Sequence, residues 1–392
     1  MRIAILTDGI HPFVIGGMQK HSHYLVKFLV RRGHEVTLVH CVPNGSKVPT
    51  SDETRAALEI GAEGKLEVLG FVFPKAGVAP GHYLKESYLF SRNVFNALKE
   101  KWSSFDFIYA KGFSAWHLLH EKSKGFPCAP VGVKFHGYEM FQPTTSVKSR
   151  LQYWLLRNPV KWNNRHADFV FSYGGKITGI IASLGVEPGK IIEIPTGIEE
   201  DWLRKDVVKP TDDVLHFLFI GRSERRKGIR ELMQVLQQLS RSESFHFHFI
   251  GPIPHSLRVK SASITYHGQL TSREEIQSVM AHSQVLVTPS HSEGMPNVIL
   301  EGMSQGLSVI ATNVGAVSAM VNDSNGWLIP PFERNALHDA MISAIRLDPK
   351  QMRQKQQSSL ERVRSHFLWE DVAVITEKEI MARVKSVGPP KA

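Results

Sequence analysis

The feature that most constrains the fold is an alternation of short apolar runs with longer amphipathic stretches. RIAILT (2–7) predicts a buried strand, GMQKHSHYLVKFLVRRG (17–33) predicts a helix that ends on Gly33, and HEVTLVHCV (34–42) predicts the next strand. Strand, helix and strand in this order form a βαβ unit, whose two strands are parallel. Because the alternation continues along the chain, the sequence predicts an α/β fold.

The predicted strands fall into two series. The first series comprises 2–7, 34–42, 66–72, 105–111, 130–137, 168–173 and 190–197. The second series comprises 214–221, 245–251, 264–268, 283–290, 307–313 and 326–331. The segment IPTGIEEDWL (194–203) joins them, so we expect two Rossmann-like domains that face one another, with a ligand between them. In such sheets ligands bind beyond the carboxyl ends of the strands, and the loops that follow the strands are the places to search for chemistry.

Length and composition exclude several classes of protein. A chain of 392 residues, of which 42% are apolar, predicts a globular protein of two domains. The opening MRIAILTDGI has no apolar core behind a basic start, and no uninterrupted apolar run of 18 residues occurs. We therefore expect a cytoplasmic protein with neither a secretory signal nor a spanning helix. Cys41 and Cys128 lie far apart without a CxxC pair, which argues against a disulfide framework and a zinc site.

The net charge of +10 is shared unevenly. Residues 1–200 contain 24 Lys and Arg against 17 Asp and Glu, whereas residues 201–392 contain 23 against 20. The cations are scattered and no zinc-finger, KH or RRM signature occurs, so we expect no nucleic-acid partner. A polyanionic substrate or a membrane surface fits better. Segments 70–90 and 149–166 combine cations with aromatic residues, as peripheral contact with the inner face of the cell membrane would require; a core helix explains the second segment equally well.

Paired glycines follow the first predicted strand. Gly16 and Gly17 open the predicted helix, where a backbone without side chains can approach a ligand and helix N–H groups can bind an anion. A structural turn explains the pair equally well. The loop lacks the GxGxxG fingerprint of dinucleotide-binding domains, which argues against a dehydrogenase.

A basic run follows the first strand of the second series. In GRSERRKGIRELM, Gly221 ends the strand and five cations crowd the start of a helix, namely Arg222, Arg225, Arg226, Lys227 and Arg230. Guanidinium groups hold phosphate oxygens bidentately, and an ammonium adds a point charge. A solvated helix face is the alternative, but the position at the carboxyl edge of a sheet favours a phosphate site.

Two glutamates lie eight positions apart in HSEGMPNVILEGMSQG (291–306). Gly294 and Pro296 keep the chain irregular after Glu293, and Asn297 is the predicted cap of a helix with Glu301 in its early turns. The helix start presents N–H groups to an anion, and the two glutamates can contact different parts of one ligand. Two surface glutamates are the alternative, and the apolar neighbours Val298, Ile299, Leu300 and Met303 argue against it.

At these residues the chain resembles the retaining GT-B glycosyltransferases of family GT4, the glycosyl transferases group 1. The resemblance covers nearly the whole chain in order: the Gly-Gly loop, the HG at 136–137, IPTG in place of IPNG, GRSERRKG, the E-x7-E of Glu293 and Glu301, and NGWLIPP (325–331). It implies the GT-B fold, an α/β architecture in which two Rossmann-like domains face across a cleft. The implied domains are an acceptor-binding domain over 1–195, a nucleotide-sugar-binding domain over 196–370, and a C-terminal helix and tail over 371–392 that cross back to the first domain.

The resemblance also implies a reaction. A sugar would pass from a nucleotide-diphosphate sugar to a glycan, lipid-linked or small-molecule acceptor in polysaccharide or glycoconjugate biosynthesis, with retention at the anomeric carbon. No bound metal or other cofactor is implied, and the sequence has no DxD-like pair placed to bind one. The implied route is a front-face displacement in which the leaving phosphate oxygen takes the acceptor proton.

The family's motifs imply a role for each matching residue. Arg222 and Lys227 would hold the diphosphate and stabilise the charge on the leaving group. Glu301 would bind the ribose, Glu293 would bind the transferred sugar, and His136 in KFHG would reach over that sugar, although a structural role explains this histidine equally well. The residues implied in catalysis are Glu293, His136, Arg222 and Lys227. Those implied to contact the donor are Gly16, Gly17, Arg222, Lys227, Gly294, Met295, Pro296, Asn297, Val298 and Glu301.

Several positions depart from the family pattern. Gln19 and Lys20 follow the Gly pair where many members have Glu and Arg, Thr196 replaces the Asn of IPNG, and Ala319 stands where Glu is usual. These departures bear on the donor sugar and the acceptor more than on the activity. A nucleotide-sugar 2-epimerase of GT-B-like fold is the alternative function, although it should carry more acidic and histidine side chains in the cleft. A non-catalytic binding module would have little use for the cationic pair together with E-x7-E.

Overall fold

The chain divides into two compact units. The computed structural model describes residues 1–144, 147–207 and 214–387, and of residues 147, 148, 386 and 387 it describes the backbone alone. The first unit comprises Met1–Phe141, Lys148–Thr196 and the chain from Trp369; the second comprises Gly197–Leu368 and a short segment that begins at Gln142. Each unit contains one sheet, and the described strands of both sheets run parallel.

The first unit contains a seven-stranded sheet in the order β3-β2-β1-β4-β5-β6-β7. Its strands are β1 (Arg2–Leu6), β2 (Glu35–Val42), β3 (Leu66–Val72), β4 (Phe107–Lys111), β5 (Val131–Lys134), β6 (Phe169–Ser172) and β7 (Ile191–Glu193). Its helices are α1 (Gly17–Arg31), α2 (Ser51–Ala57), α3 (His82–Ala97), α4 (Trp116–Lys122), α5 (Val147–His166), α6 (Lys176–Ser183) and α13 (Trp369–Val387).

The second unit contains a six-stranded sheet in the order β10-β9-β8-β11-β12-β13. Its strands are β8 (Leu215–Ile220), β9 (Phe245–Ile250), β10 (Ile264–Gly268), β11 (Val285–Thr288), β12 (Ser308–Thr312) and β13 (Gly326–Ile329). Its helices are α7 (Ile229–Leu239), α8 (Arg273–Ala281), α9 (Asn297–Ser304), α10 (Val317–Met320), α11 (Arg334–Ile345) and α12 (Pro349–His366). The prediction of an α/β fold with two parallel sheets is confirmed, and each strand lies within one of the predicted runs.

Each sheet has one position at which the order of the strands reverses. In the first sheet β1 pairs with both β2 and β4, and the reversal lies between β1 and β4. In the second sheet β8 pairs with both β9 and β11, and the reversal lies between β8 and β11. Ligands of doubly wound sheets bind beyond the carboxyl ends of the strands at this switch point. The loops after β1, β4, β8 and β11 are therefore the primary candidates for a site.

The last helix completes the core of the first unit. Four side chains of α13 are at most 1% exposed and belong to one apolar cluster with Leu25 of α1; they are Trp369, Val372, Ala373 and Ile380. Burying apolar surface of this extent is the main force that holds a helix against its neighbours. The helix predicted over 371–392 begins at Trp369 and is described as far as Val387, so residues 388–392 of the predicted segment lie outside the described residues.

One buried histidine makes the stability of the first unit depend on pH. His40 in β2 has no exposed surface, and burial lowers its pKa to about 4 against a smaller opposing effect of the Cys41 backbone. In the unfolded chain the pKa is about 6.5, so the unfolded state binds more protons below that pH and folding loses stability as the pH falls. The loss levels off near the folded pKa.

We expect His40→Leu to be less sensitive to acid than the wild type. Urea unfolding between about pH 7.5 and pH 5.5 should show a loss of unfolding free energy that is smaller in the variant by about 1 kcal/mol. His255 is exposed, and His255→Asn is the matched control: its unfolding free energy should fall by as much as that of the wild type. Equal losses in His40→Leu and the wild type would contradict the assignment.

Candidate active site

A glycine allows the loops after β8 and β11 to touch. Arg225–Lys227 forms one turn of 3-10 helix, and Gly228 then adopts the left-handed conformation, with φ of 69°, before α7 begins. A Cβ at Gly228 would overlap the carbonyl oxygen of Pro289 in the loop after β11. Only glycine therefore satisfies both the backbone conformation and the space at this position.

Lys227 and Glu293 form an ion pair across these two loops. The Lys227 ammonium contacts Glu293 Oε1, and Arg226 Nη1 lies 3.5 Å from Glu293 Oε2. The side chains of Lys227 and Glu293 are 19% and 11% exposed, so the pair is partly shielded from water. The structure thus brings two of the sequence-predicted catalytic residues together at the switch point of the second sheet.

Arg222 lies at the open side of the same loop. Its side chain is 76% exposed, and its Nε is 3.0 Å from Glu224 Oε1. The other oxygen of Glu224 accepts a hydrogen bond of 2.7 Å from Arg226 Nε. The sequence predicts that this basic run binds phosphate; in the structure Arg222 and Arg226 also contact Glu224, a carboxylate that the sequence did not indicate. Since such exposed pairs are weak, an anionic ligand can displace Glu224 from Arg222 at little cost.

A polar cluster of Arg225, Glu231 and the buried His291 supports the basic loop. Arg225 donates two hydrogen bonds to the Glu231 carboxylate, at 2.7 and 2.5 Å, and its Nη1 lies 3.0 Å from His291 Nε2. The His291 backbone N–H donates to Arg226 O at 2.6 Å, and its ring stacks on Phe332 at 3.9 Å between ring centres. A bidentate Arg–carboxylate pair has a fixed geometry. The cluster therefore fixes the basic loop relative to the residues that precede Glu293.

Two further contacts hold the backbone around Glu293. The Gln142 amide donates to Glu293 O at 2.7 Å and accepts from Glu293 N at 3.4 Å. Ala316 N donates to Gly294 O at 2.7 Å, and a Cβ on Gly315 would overlap the carbonyl oxygens of Glu293 and Gly294. Sequence reasoning missed Gln142, because a single polar residue 151 positions away carries no periodic signal. Gly315 could have been found from its place after a predicted strand.

The helix that follows Glu293 begins one residue earlier than predicted. Asn297 is its first residue and Pro296 occupies the capping position, so the prediction of Asn297 as a cap is wrong. Pro296 supplies no side-chain hydrogen bond to the helix start, which leaves N–H groups available there. Glu301 is half-buried in the second turn, and Gly294, Asn297 and Val298 are also half-buried. The Met295 side chain is only 6% exposed and packs inside the unit.

The remaining predicted residues lie in the first unit. Gly16 is the capping residue of α1 and Gly17 its first residue, in the loop that follows β1. His136 follows β5, is half-buried, and has its Nδ1 3.0 Å from Tyr173 Oη. Burial, and then the charges of Lys111 and Lys134, hold the pKa of His136 well below its ordinary value. A neutral imidazole can donate a hydrogen bond to a hydroxyl group or accept one from it.

Two family models match this chain. The model described as Glycosyltransferase Family 4 matches residues 15–202, and the model described as Glycosyl transferases group 1 matches residues 215–346. The second match includes the basic loop, Lys227 and the E-x7-E pair. The chain belongs to glycosyltransferase family GT4.

Known proteins resemble this GT4 glycosyltransferase over its whole length. Glycogen synthase of Mycobacterium tuberculosis is 23% identical over 410 residues, which cover 100% of this chain and 97% of that protein. Sucrose-phosphate synthase of Thermosynechococcus elongatus superimposes with a TM-score of 0.74 at 19% identity, over 99% of this chain and 100% of that one. The Anabaena HepE protein in complex with UDP and glucose gives a TM-score of 0.67 at 15% identity, over 97% of this chain and 100% of that one. The GT-B fold predicted for the GT4 enzyme is confirmed.

An apolar groove lies on the first unit of the GT4 enzyme. Its volume is about 550 Å³, and it is lined by Val78 and 80–84 from one of the two aromatic and basic segments and by 151–153 and 155–156 from the other. Val78, Leu151 and the adjacent Trp154 are 91%, 60% and 63% exposed. The alternative of a core helix for 149–166 holds only for its second half, where Val160, Asn163 and Asn164 are fully buried. Among the described helices, none is long and apolar enough to cross a membrane.

Proposed function

We propose that this GT4 enzyme transfers a sugar from a nucleotide-diphosphate sugar to a glycan or lipid-linked acceptor, with retention at the anomeric carbon and without a bound metal ion. The observation that carries the proposal is the Lys227–Glu293 ion pair at the switch point of the second sheet. The HepE structure with UDP and glucose supports a nucleotide-sugar donor, and the glycogen synthase relative supports a glycan acceptor. A 2-epimerase is not favoured, because both matching family models describe glycosyltransferases.

The basic loop has the chemistry that a departing nucleoside diphosphate requires. Negative charge develops on the diphosphate when the bond to the sugar breaks, and preorganised cations stabilise that charge. Lys227 is held by Glu293 and by its own turn of 3-10 helix, while exposed Arg222 can close on the phosphates from the solvent side. We assign Lys227 and Arg222 to the diphosphate on these grounds.

The pairing of the carboxylates supports catalysis without a metal. Glu224 contacts Arg222 and Arg226, Glu231 contacts Arg225, and Glu293 contacts Lys227 and Arg226. Magnesium in transferases and kinases is bound by carboxylates together with phosphate oxygens. Since these three glutamates already bind cations of the protein, Lys227 and Arg222 take the role of the metal in the proposal.

The same pairing supports a front-face route. A double-displacement mechanism needs a carboxylate nucleophile beside the anomeric carbon, as in retaining glycosidases. Glu293 is the carboxylate nearest the diphosphate-binding lysine, and its contacts with Lys227 and Arg226 reduce its nucleophilicity. We propose instead that the acceptor oxygen attacks from the face that the diphosphate leaves, and that the departing phosphate oxygen takes its proton.

The two glutamates should respond differently to substitution. Glu301→Gln should weaken binding of free nucleoside diphosphate by about 1 to 3 kcal/mol, because a charge-assisted hydrogen bond to the ribose becomes a neutral one. Glu293→Gln should leave that affinity nearly unchanged, since the proposed partner of Glu293 is the sugar and not the nucleotide. Its transfer rate should fall, because the reacting carbon is no longer held in position.

Calorimetry with the nucleoside diphosphate and turnover assays on both variants measure these effects. The exposed Glu275→Gln on α8 is the control and should match the wild type in both assays. Equal loss of nucleotide affinity in Glu293→Gln and Glu301→Gln would refute the division of roles between them.

We further propose a cytoplasmic protein that makes peripheral contact with the inner face of the cell membrane through the apolar groove. Helix α5 contains five Lys and Arg and no Asp or Glu, and exposed Lys75, Lys85, Arg150 and Arg157 flank the groove in sequence. An apolar surface with exposed cations on the same segments suits an anionic lipid bilayer, where each nearby cation contributes about 1 kcal/mol. This contact would bring a lipid-linked acceptor to the first unit.

Vesicle sedimentation tests the membrane contact. We expect the wild type to bind vesicles that contain phosphatidylglycerol, to bind neutral phosphatidylcholine vesicles weakly, and to be released by salt. The double variant Leu151→Ser with Trp154→Ser should lose most of this binding, whereas Ile375→Ser, at an exposed apolar residue of α13, should retain it. Binding that survives loss of Leu151 and Trp154 would show that another face contacts lipid, and a wild type that binds neither kind of vesicle would refute the membrane contact.

A further inference from the structure

Two lysines with no exposed surface lie at the carboxyl edge of the first sheet. Lys111 is the last residue of β4, and Lys134 is the last residue of β5. Removing an ammonium group from water costs several kcal/mol unless a carboxylate pairs with it. The fold therefore gains little stability from these lysines, and perturbed groups of this kind concentrate at functional sites.

The contacts of the lysines connect the switch point to His136. Lys111 Nζ donates to Met18 O at 3.1 Å and lies 2.8 Å from His21 Nδ1. The His21 ring is 5.9 Å from the His136 ring, and its buried Nε2 has no hydrogen-bond partner among the described residues. Lys134 Nζ donates to Ile194 O at 3.1 Å. His21 therefore lies between Lys111 at the end of β4 and His136, the predicted sugar-contacting histidine.

The switch point of the first sheet lies between β1 and β4. Lys111 ends β4, and Asp8 lies two residues after the end of β1. It is half-buried, and its Oδ1 accepts a hydrogen bond of 3.4 Å from Gln19 Nε2. Gln19 is one of the positions at which the chain departs from the family pattern, and a glutamate there would repel the Asp8 carboxylate. The half-buried position and the long hydrogen bond from Gln19 leave Asp8 with acceptor capacity toward a ligand.

The neighbours of Asp8 determine its charge. Loss of hydration raises the pKa of Asp8 to about 6, and the Lys111 charge opposes this increase. The titratable or polar groups that face Asp8 from the packed elements are Gln19 of α1, Cys41 of β2, Tyr83 of α3 and Lys111 of β4. Asp8 is the acidic group of this set, so it is the one that can accept hydrogen bonds as an anion near neutral pH.

We propose that Asp8, at the carboxyl edge of the first sheet, binds a hydroxyl group of the acceptor through its carboxylate. The proposal rests on the proposed function, in which the first unit receives the acceptor. The ligand at this point is a neutral, hydroxyl-bearing sugar, because an acidic group would face the Asp8 carboxylate. Asp8 accepts a hydrogen bond here and takes no proton, which still passes to the departing phosphate.

The test separates acceptor binding from donor chemistry. Release of nucleoside diphosphate from the most rapidly hydrolysed nucleotide sugar is measured without acceptor and with methyl glycosides of common hexoses up to their solubility limits. Asp8→Asn should raise the acceptor concentration for half-maximal effect about tenfold, with hydrolysis and nucleoside diphosphate affinity unchanged. Asp8→Glu should restore part of the loss, and the exposed Asp52→Asn should behave as the wild type.

The pH profile distinguishes this role from a structural one. Acceptor-dependent release should rise with pH through about 6, where Asp8 ionises, and this rise should be absent in Asp8→Asn, whose amide does not ionise. Unchanged acceptor dependence in a folded Asp8→Asn would overturn the proposal, as would a wild type on which no methyl glycoside has any effect. If the wild type released no nucleoside diphosphate from any nucleotide sugar, the proposed function itself would fail.

Discussion

Replacing Lys227 or Arg222 by alanine should lower turnover by about 100- to 1,000-fold, which corresponds to about 3 to 4 kcal/mol of transition-state stabilisation. Both residues belong to the loop after β8, at the switch point of the second sheet, and Lys227 also holds Glu293. The loss should appear mainly in kcat, because the charge that they stabilise develops as the diphosphate leaves. Steady-state kinetics on both variants measure it.

A neighbouring cation serves as the control for this effect. Arg230 belongs to the same basic run but is exposed on α7, and no role in the reaction is assigned to it. Arg230→Ala should therefore retain the wild-type rate. Unfolding midpoints are needed for Lys227→Ala, because Glu293 loses its closest partner. A double variant of Arg222 and Lys227 that turned over at the wild-type rate would remove the diphosphate assignment.

The second large effect is expected at Gly228. Gly228→Ala and Gly268→Ala both place a side chain on a left-handed residue, at φ of 69° and 73°, which costs about 1 to 2 kcal/mol. At Gly268 nothing lies within 4 Å of the added Cβ, whereas at Gly228 it meets the backbone of Pro289. Overpacking against backbone adds about 1 to 3 kcal/mol, so the Gly228 variant should be less stable than the Gly268 variant by that amount.

The comparison of these two glycines also has a functional readout. The clash at Gly228 separates the loops that bring Lys227 to Glu293, so its transfer rate should fall together with its stability. Gly268→Ala should lose stability and retain its rate at temperatures where it is folded. Chemical unfolding and turnover measured on the same preparations give both quantities. Equal stability of the two variants would contradict the close contact between the loops after β8 and β11.

The periodic part of the fold was predictable from the sequence. Every strand lies within a predicted run, because a strand buried on both faces of a parallel sheet is a nearly continuous apolar run bounded by loop residues. The ends were less predictable: β5 stops at Lys134, three residues before the end of the predicted run, since the chain turns away to place His136 in a loop. The prediction of the capping residue of α9 was also wrong, because Pro296 fixes the backbone and takes the position predicted for Asn297.

The pairing of polar side chains was not predictable in the same way. The basic loop and the E-x7-E pair were found from their places after strands, but the strand order that brings Lys227 to Glu293 is a property of the sheet. The contacts of Glu224 with Arg222 and of Gln142 with Glu293 could not be predicted, because isolated polar residues have no period that indicates their partners. Lys111 and Lys134 were read as parts of apolar strands, and only their complete burial in the structure distinguishes them from surface lysines.

The most direct test of the account is a donor assay in the presence of EDTA. The enzyme is incubated with UDP-, GDP- and ADP-sugars, with and without a glycoside acceptor, and nucleoside diphosphate release and the anomeric configuration of the product are followed by NMR. We predict release with at least one donor, no loss of rate on chelation, and a product that keeps the configuration of the donor, because Lys227 and Arg222 stabilise the leaving diphosphate. Release that stops in EDTA and returns with Mg²⁺ or Mn²⁺, or a product of inverted configuration, would contradict the account.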